Sequence, residues 1–253
     1  MDQSRKIDIF GVKVDDLSFD EAVLQILKLA KRENRGKYVV TVNAEFVMLA
    51  RRNKEFARIL EGADLALADG KWVAFSKLIS GGSAQDRVTG VDLVEKLCKK
   101  CADKAVVIGF MGGFSGVAQE ASKRQIKANP GLKVAFSGPG EETIGHDLKL
   151  KLPFPATKRV DILFVALGMG RQEFWIDAMR EKLNVGVFIG VGGALDLVAG
   201  VKKRAPKVFQ DTGFEWLWRL GHEPGRIWRQ RVIPVFFAMF LTKLLKNKFS
   251  KKF

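Results

Sequence analysis

The feature that most constrains the fold of this chain is an alternation of short apolar, β-branched runs with longer amphipathic stretches. The apolar runs have the length and composition of buried strands, and they cover residues 37–42, 64–68, 105–110, 132–136, 160–168 and 185–190. The amphipathic stretches have helical spacing, and they cover residues 18–34, 44–61, 71–80, 90–102, 114–128, 171–183 and 193–199. Strands that alternate with helices are typical of a mostly parallel sheet covered by helices on both faces. The sequence therefore predicts an α/β fold.

Both ends of the chain depart from this alternation. Residues 6–16, KIDIFGVKVDD, alternate around a central glycine, which predicts a small N-terminal β-hairpin. From Lys202 onward there are thirteen Lys or Arg and three Asp or Glu, so this end carries +10 of the net charge of +15. We therefore expect an α/β core over residues 1–211 and a basic, helical C-terminal appendage over residues 212–253.

Cysteine and histidine are too scarce and too scattered to predict a metal site. Cys98 and Cys101 form a single C-x-x-C pair, and neither His146 nor His222 stands at ligand spacing from it. Two small residues packed on a helix, in a reducing compartment, are the favoured interpretation, and a thioredoxin-like redox pair is the alternative. The first residues contain no apolar signal region, and no uncharged apolar run reaches the roughly 20 residues that span a bilayer. We therefore expect neither a signal peptide nor a transmembrane helix.

Several predicted strands end in polar or glycine-rich turns. These turns lie at residues 41–45, 68–71, 109–116, 166–173 and 190–196. Ligands of open α/β sheets bind outside the carboxyl ends of the strands, and glycines there let backbone N–H groups approach phosphate oxygens. The turns therefore predict the rim of one crevice. Asp69 would stand on this rim, although an Asp-Gly pair also suits a turn for purely local backbone reasons.

Known phosphate-binding motifs are missing from these turns. No G-x-G-x-x-G follows the first strand with an acidic residue about twenty positions later, as a nicotinamide-binding domain would require. The Walker A pattern is absent as well, and no Asp-x-Asp pair stands near a strand end. The sequence therefore predicts no cofactor, and a sugar-nucleotide enzyme built on this chain would work without a carboxylate-held metal.

Six blocks of the sequence resemble, in order, those of the WecG/TagA/CpsF glycosyltransferase family. They are TVNAEFVMLARRN, LEGADLALADGKWV, RVTGVDLVEKL, DILFVALGMGRQEFWI, GVGGALDLVAGVKKRAP and FEWLWRLGHEPGRIWRQR. The resemblance covers about residues 8–232 and implies a Rossmann-like core. It also implies an inverting, metal-independent transfer of a hexose derivative from a UDP-sugar to a polyprenyl-diphosphate-linked N-acetylglucosamine, in bacterial cell-surface polysaccharide or teichoic acid synthesis. N-acetylmannosamine is the expected sugar, with UDP-glucose and UDP-N-acetylmannosaminuronate as alternative donors.

The resemblance implies roles for individual residues near the strand ends. Asp69 would be the catalytic base that takes a proton from the acceptor hydroxyl. Thr41 and Asn43 would line the acceptor pocket, and Gln172 would contact substrate. Asp92 could also reach the crevice, but a carboxylate at a helix N-terminus is explained equally well by the helix dipole.

Further roles are implied for the last two blocks. Gly192, Gly193 and Asp196 match the nucleotide-binding block, in which the aspartate would meet the ribose or uracil. Three arginines would neutralise the departing UDP in place of a metal: Arg219, Arg226 and Arg229.

The sequence departs from the family pattern at two places. Gly170, in GMGRQE, stands where the family usually has proline, which affects the stiffness of that loop. Residues 137–147 contain GPGEETIGH where family members often have an aromatic residue, so nucleotide contacts in that loop are not carried over.

The last stretch of the chain, residues 232–253, combines bulky apolar residues with five lysines. Because it is too short to span a bilayer, we expect an amphipathic segment on an anionic membrane surface, with packing on the core as the alternative. This predicts a peripheral location at the cytoplasmic face of the bacterial membrane. Nucleic acid is a competing polyanionic partner, but the 11-residue uncharged run over 232–242 disfavours it. A homo-oligomer is left open.

Overall fold

The computed structural model describes residues 4–83, 87–114, 116–140 and 153–250. In chain order its strands are β1 Lys6–Ile9, β2 Val12–Asp15, β3 Lys37–Val42, β4 Leu65–Ala68, β5 Val107–Gly112, β6 Lys133–Gly138, β7 Val160–Ala166 and β8 Val185–Gly190. Within the described residues β1 and β2 form an antiparallel hairpin, and the others form a six-stranded sheet in the order β4-β3-β8-β7-β5-β6. Every neighbouring pair in this sheet is parallel. The predicted hairpin and the α/β, Rossmann-like class are confirmed.

Helices connect the strands and continue after the last one. They are α1 Phe19–Leu29, α2 Ala44–Ala50, α3 Lys54–Glu61, α4 Lys71–Ile79, α5 Gly90–Cys101, α6 Val117–Ala128, α7 Arg171–Met179, α8 Ala194–Val198, α9 Lys207–Thr212, α10 Glu215–His222, α11 Ile227–Gln230 and α12 Ile233–Ser250. The appendage expected from residue 212 onward is helical, and the proposed boundary falls on the last residue of α9.

Two hydrophobic cores cover the two faces of the sheet. Val39 and Ile162 belong to the first core, which packs against α1, α5, α6 and α8. Their neighbours Val40 and Leu163 belong to the second, which packs against α2, α3, α7 and α12. Because successive side chains of a strand point to opposite faces, strands buried on both faces need apolar residues at every position. This explains why the runs in the sequence are continuous rather than alternating.

The predicted helix over 44–61 is wrong in its middle, where the structure has two helices. The second one starts anew because the Asn53 side chain accepts a hydrogen bond from the Phe56 N–H at 2.9 Å and so caps it. Two other helices end earlier than predicted, α1 at Leu29 and α7 at Met179. The Ser18 capping box at the start of α1 is confirmed.

Cys98 and Cys101 lie on α5 and are both buried in the first core as free thiols. Burial raises the pKa of Cys101 to about 11 and that of Cys98 further still. Since a reactive redox pair needs a thiol with a lowered pKa, the packing interpretation of this pair is confirmed.

The last helix, α12, packs one face on the core. Phe236 is fully buried, and Phe237 and Phe240 place their rings 4.7 and 5.6 Å from that of Trp72 on α4. The packing alternative for the last stretch therefore holds for this face. In the part of the chain that is described, no helix combines the length and the apolar character needed to cross a bilayer.

Candidate active site

The carboxyl ends of β4, β3, β8, β7 and β5 open into one cavity of about 560 Å³. The appendage lines the same cavity from the other side. All ten residues singled out from the sequence line it: Thr41, Asn43, Asp69, Gln172, Gly192, Gly193, Asp196, Arg219, Arg226 and Arg229. The expected crevice is therefore present.

Asp69 follows directly on β4, in the turn that leads into α4. Its N–H donates to the Val42 carbonyl at 2.8 Å, which continues the ladder between β4 and β3 by one residue. Gly70 then adopts a φ of +85°, a conformation that favours glycine, and lets the chain turn into the helix. This turn leaves Asp69 half-buried in the wall of the cavity.

The surroundings of Asp69 make it a weak acid. Burial raises the pKa of its carboxyl from 3.8 to about 7, and the neighbouring Glu215 carboxylate also raises it. The guanidiniums of Arg219 and Arg87 act in the opposite direction. A carboxyl with a pKa near 7 can take up a proton from a substrate hydroxyl at neutral pH.

Thr41 and Asn43 lie at the end of β3 and are used partly for structure. The Thr41 hydroxyl donates to the Gly190 carbonyl at 3.0 Å, which ties β3 to the end of β8. The side-chain Oδ1 of Asn43 accepts from the Phe46 N–H at 3.2 Å and caps α2. Both residues also line the cavity, and a contact with an acceptor sugar stays a prediction.

Gln172 lies beneath the glycine turn that follows β8. Its Oε1 accepts from the Gly192 N–H at 3.0 Å, and only 1% of the residue is exposed. A Cβ on Gly190 would come within 2.8 Å of its Nε2 atom, so the strand needs glycine there. The structure thus places Gln172 as a support of the turn, and the direct substrate contact expected from the sequence stays a prediction.

Glu173, next to Gln172, is completely buried. Its Oε2 accepts from the Gly170 N–H at 2.6 Å, while its Oε1 makes no hydrogen bond among the described residues. Burial raises the pKa of this carboxyl to about 7. The group caps the start of α7, the helix that holds Gln172 in place.

A chain of ion pairs links Asp196 to the appendage. Lys202 lies 2.8 Å from Asp196 and 3.1 Å from Glu223, and Arg226 lies 2.9 Å from the same glutamate. The Arg226 guanidinium also approaches Gly193, where a Cβ would lie 3.7 Å from its Nη2 atom. The glycine turn after β8 therefore has a cation beside its backbone, an arrangement suited to a phosphate.

Each of the three predicted arginines is paired with a carboxylate. The distances are 2.5 Å for Arg219–Glu215, 2.9 Å for Arg226–Glu223 and 2.7 Å for Arg229–Glu45. Such partners compensate guanidinium charges on a partly buried wall, where an unpaired charge is costly. The sequence interpretation named the arginines but did not anticipate these partners.

Sequence reasoning also missed four cationic residues of the cavity: Lys71, Arg87, Arg171 and Arg204. Arg87 opens the RVTGVDL block, so its position in that block was an available signal. Arg204 binds both carboxylate oxygens of Asp92, at 2.7 and 2.8 Å, so Asp92 is engaged in a forked ion pair. No ion pair of Arg171 is found within the described ranges.

The residues that line the cavity carry an excess of positive charge. Seven Lys or Arg line it against four carboxylates, which are Glu45, Asp69, Asp196 and Glu215. Among the described residues no group of three or more His, Cys, Asp or Glu is arranged to hold a metal ion. Such a charge balance suits a substrate with several negative charges.

Comparison with known proteins identifies the family. The chain matches the glycosyl transferase WecG/TagA/CpsF family over residues 7–251. It belongs to this family. An N-acetylglucosaminyldiphosphoundecaprenol N-acetyl-beta-D-mannosaminyltransferase of Bacillus spizizenii is similar to this glycosyltransferase, with 32% identity over 216 residues, or 85% of this chain and 81% of the relative. A protein of the same name from Staphylococcus aureus is 28% identical over 251 residues, or 97% of this chain and 95% of the relative.

The structure describes the first of the two departures of this glycosyltransferase from the family pattern, and only the beginning of the second. Gly170 has a φ of +84° and donates its N–H to Glu173. Proline can do neither, since its ring holds φ near −65° and it has no N–H. The loop before α7 is thus built around glycine. In the other departure, over 137–147, residues from 141 onward lie outside the described residues.

Proposed function

We propose that this glycosyltransferase is an inverting N-acetylmannosaminyltransferase. In this proposal it moves the sugar from a UDP-sugar to a polyprenyl-diphosphate-linked N-acetylglucosamine. The observation that carries the proposal is the position of Asp69, a carboxyl with a pKa near 7, in a cavity lined by seven cationic side chains. The activity after which the two relatives are named supports the choice of sugar and acceptor.

Asp69 acts as the general base in this mechanism. The acceptor hydroxyl oxygen attacks the anomeric carbon of the donor from the side opposite UDP and forms the new C–O bond. Its proton passes to the Asp69 carboxylate, while the bond between the anomeric carbon and the β-phosphate oxygen breaks and UDP leaves with the electron pair. Attack from the opposite side inverts the configuration, and a base with a pKa near the working pH suits the proton transfer.

The arginines of the appendage stabilise the leaving group. UDP gains negative charge on its β-phosphate as the bond breaks, and guanidiniums held in place can bind that charge through paired N–H groups. Arg226 is the best placed of them, because it lies beside the turn of Gly192 and Gly193. Arg219 and Arg229 line the cavity further along, next to Glu215 and Glu45. We therefore propose a transfer that needs no metal ion.

The nucleotide end of the donor would bind at the turn after β8. The diphosphate could approach the backbone there closely because its glycines have no side chains. Asp196 would offer a carboxylate to the ribose hydroxyls or the uracil N–H. Asp196 is held by Lys202 at 2.8 Å, which fixes its orientation. Thr41 and Asn43 would bind the acceptor on the side of the cavity nearer to Asp69.

We also propose that the protein associates peripherally with the cytoplasmic face of the membrane through α12. The side of this helix that faces away from the core is apolar: Val235, Leu241 and Leu245 are 47%, 40% and 54% exposed. Lys243 and Lys246 are on the same helix, and bulky apolar side chains with lysines are typical of helices that lie on anionic membranes. The lipid-linked acceptor would be reached from that position.

One alternative donor is favoured by a particular observation. UDP-N-acetylmannosaminuronate carries a carboxylate that the N-acetylmannosamine donor lacks. Arg171 lines the cavity and has no ion-pair partner in the described part of the chain, so it could bind that carboxylate. UDP-glucose, the other alternative, lacks such a carboxylate, as does the N-acetylmannosamine donor.

A donor panel tests the proposal. The purified chain is incubated with a short-chain polyprenyl-diphosphate-N-acetylglucosamine and each of the three UDP-sugars, and the product is identified by mass and by the anomeric coupling in its NMR spectrum. We expect transfer of N-acetylmannosamine in the β configuration. Transfer of the uronate alone would favour the alternative donor, and an α-linked product or no transfer from any UDP-sugar would contradict the proposal.

A further inference from the structure

Glu215 is a carboxylate of the cavity to which no role has been assigned. It stands in the first turn of α10, and its side chain is 20% exposed. Its two oxygens bind two different arginines: Oε1 lies 2.5 Å from Arg219 and Oε2 lies 3.2 Å from Arg87. Since Arg87 belongs to the core and Arg219 to the appendage, this single carboxylate joins the two parts at the cavity wall.

Arg87 is held firmly on its side of this junction. Its Nη2 donates to the Gln210 side chain at 2.9 Å, and its Nη1 donates to the Gln210 backbone carbonyl at 3.3 Å. Glu215 accepts the remaining hydrogen bond of Arg87 and, through its other oxygen, also binds Arg219. Without Glu215, no other acceptor found in the described residues would bridge the two guanidiniums.

The three members of the bridge line the same cavity as Asp69. The charged groups that act on Asp69 are Glu215 and Arg219 from α10, Arg87 from the segment before α5, and Asp92 from α5. The charge of Asp92 is compensated by the Arg204 guanidinium, which binds both of its carboxylate oxygens. The Lys71 amine, on α4, donates to the Asp211 carbonyl of α9.

We propose that Glu215 is a positioning residue of the sugar transfer, whose carboxylate holds Arg87 and Arg219 together beside Asp69 and balances their charges there. This inference rests on the proposed role of Asp69 as the base. The appendage would then do more than supply arginines. The Glu215 carboxylate balances the charges of Arg87 and Arg219 around the base only when α10 is docked on the core.

A change at Glu215 has a consequence that a merely structural contact would not have. If Glu215 becomes glutamine, two guanidiniums face Asp69 without their shared counter-charge. They then favour the ionised carboxylate, so the pKa of Asp69 falls from about 7 and Asp69 becomes a weaker base. Turnover on the alkaline plateau should fall as well, by roughly 10- to 100-fold, the scale of misplacing a reacting group by about 1 Å.

The test compares Glu215→Gln with Glu223→Gln in the full chain. Glu223 is a matched control, because it also pairs with an arginine of the appendage but is not among the groups that act on Asp69. Glu215→Asp serves as the conservative variant, which keeps the charge and shortens the reach. Circular dichroism and thermal melting establish that all three variants fold.

Two readouts are measured for each folded variant. The first is the pH dependence of kcat/KM for the sugar transfer, whose acidic limb reports the ionisation of the base in the free enzyme. The second is the titration of the Asp69 carboxyl itself, followed by NMR in protein labelled with ¹³C-aspartate and assigned by comparison with Asp69→Asn. The second readout does not depend on any activity.

We expect Glu215→Gln to move both the acidic limb and the Asp69 titration to lower pH, and Glu223→Gln to move neither. Glu215→Asp should keep the titration near that of the wild type while turnover falls. An Asp69 titration in folded Glu215→Gln that coincides with the control would overturn the inference. If the wild type transfers no sugar but the titration moves as expected, the proposed function fails while the charge bridge stands.

Discussion

At the scale of single residues, turn formation and catalysis make compatible demands on Asp69. The Asp-Gly pair ends β4 and turns the chain into α4, as local backbone chemistry predicts. The same turn brings Asp69 to the wall of the cavity, where burial raises the pKa of its carboxyl to about 7. The local explanation and the functional one therefore describe the same geometry.

Replacing Asp69 by asparagine tests its proposed role. The amide has nearly the same shape, so we expect Asp69→Asn to fold and to bind UDP as the wild type does. It cannot accept the proton, so turnover should fall by roughly 10²-fold or more, the scale of a lost general base. Steady-state kinetics with calorimetric titration of UDP measure both effects. Near-normal turnover of the folded variant would show that another group is the base.

Glu173 provides a prediction about stability. The pKa of its carboxyl rises from the ordinary value of 4.5, which applies to the unfolded chain, to about 7 in the folded protein. Between these pH values the unfolded chain releases the proton and the folded chain keeps it, so the free energy of unfolding falls as pH rises through this window. The loss amounts to about 3 kcal/mol for a shift of this size.

Glu173→Gln removes this dependence, since glutamine does not titrate and its side-chain oxygen can still accept from the Gly170 N–H. We expect the stability of the variant relative to the wild type to improve by about 3 kcal/mol between pH 4.5 and pH 7. Urea unfolding at both pH values measures the difference. A constant difference would mean that Glu173 is ionised in the folded protein throughout this window.

At the scale of elements, α12 has two faces with different tasks. Phe236 on the inner face is fully buried and meets the edge of the Phe10 ring, with centroids 5.5 Å apart. Leu241 and Leu245 on the outer face are 40% and 54% exposed. The inner face stabilises the fold, whereas the outer face is available to a partner or a membrane.

Substitutions on the two faces should therefore separate stability from membrane binding. Phe236→Ala leaves a cavity in the core and should lower the free energy of unfolding by about 3 kcal/mol or more. The double variant Leu241→Ser, Leu245→Ser should change stability little but reduce flotation with anionic liposomes. Denaturant unfolding and flotation at low and high salt measure both, and wild-type binding should weaken at high salt because lysine charges are screened. Unchanged flotation of the double variant would contradict the proposed contact.

At the scale of the whole molecule, the distribution of charge decides which substrates the cavity can hold. Most of the net charge of +15 belongs to the C-terminal end, and the fold brings part of it over the carboxyl ends of the sheet. Together with cations of the core, seven cationic side chains from five segments of the chain surround one cavity. A diphosphate is the kind of ligand that such a set of fixed cations can bind.

This distribution leads to a prediction about metal ions. Because guanidiniums are proposed to stabilise the leaving diphosphate, transfer should proceed at an unchanged rate after dialysis against EDTA and should gain little from added Mg²⁺ or Mn²⁺. Initial rates with and without each ion measure this. A strict requirement for either ion would show that the arginines do not carry the leaving-group charge alone.

The sequence by itself determined the class of the fold and most of the cavity's lining. Runs such as KYVVTV and VGVFIG are apolar at every position, and a strand with that pattern must be buried on both faces. Polar and glycine-rich turns follow these strands, and the carboxyl ends of parallel strands share one edge of the sheet, so Thr41, Asp69 and Gly192 could be assigned to one site. These are local patterns combined with a general rule of topology.

Only the tertiary structure decided which side chains meet. Thr41 bonds to Gly190, which is 149 positions away, and Arg87 reaches Glu215 across 128 positions. No local pattern records such pairs, because they depend on the strand order and on how the appendage docks. The same holds for the pKa of Asp69, which is set by burial and by charges from α5 and α10 that come together only in the folded chain.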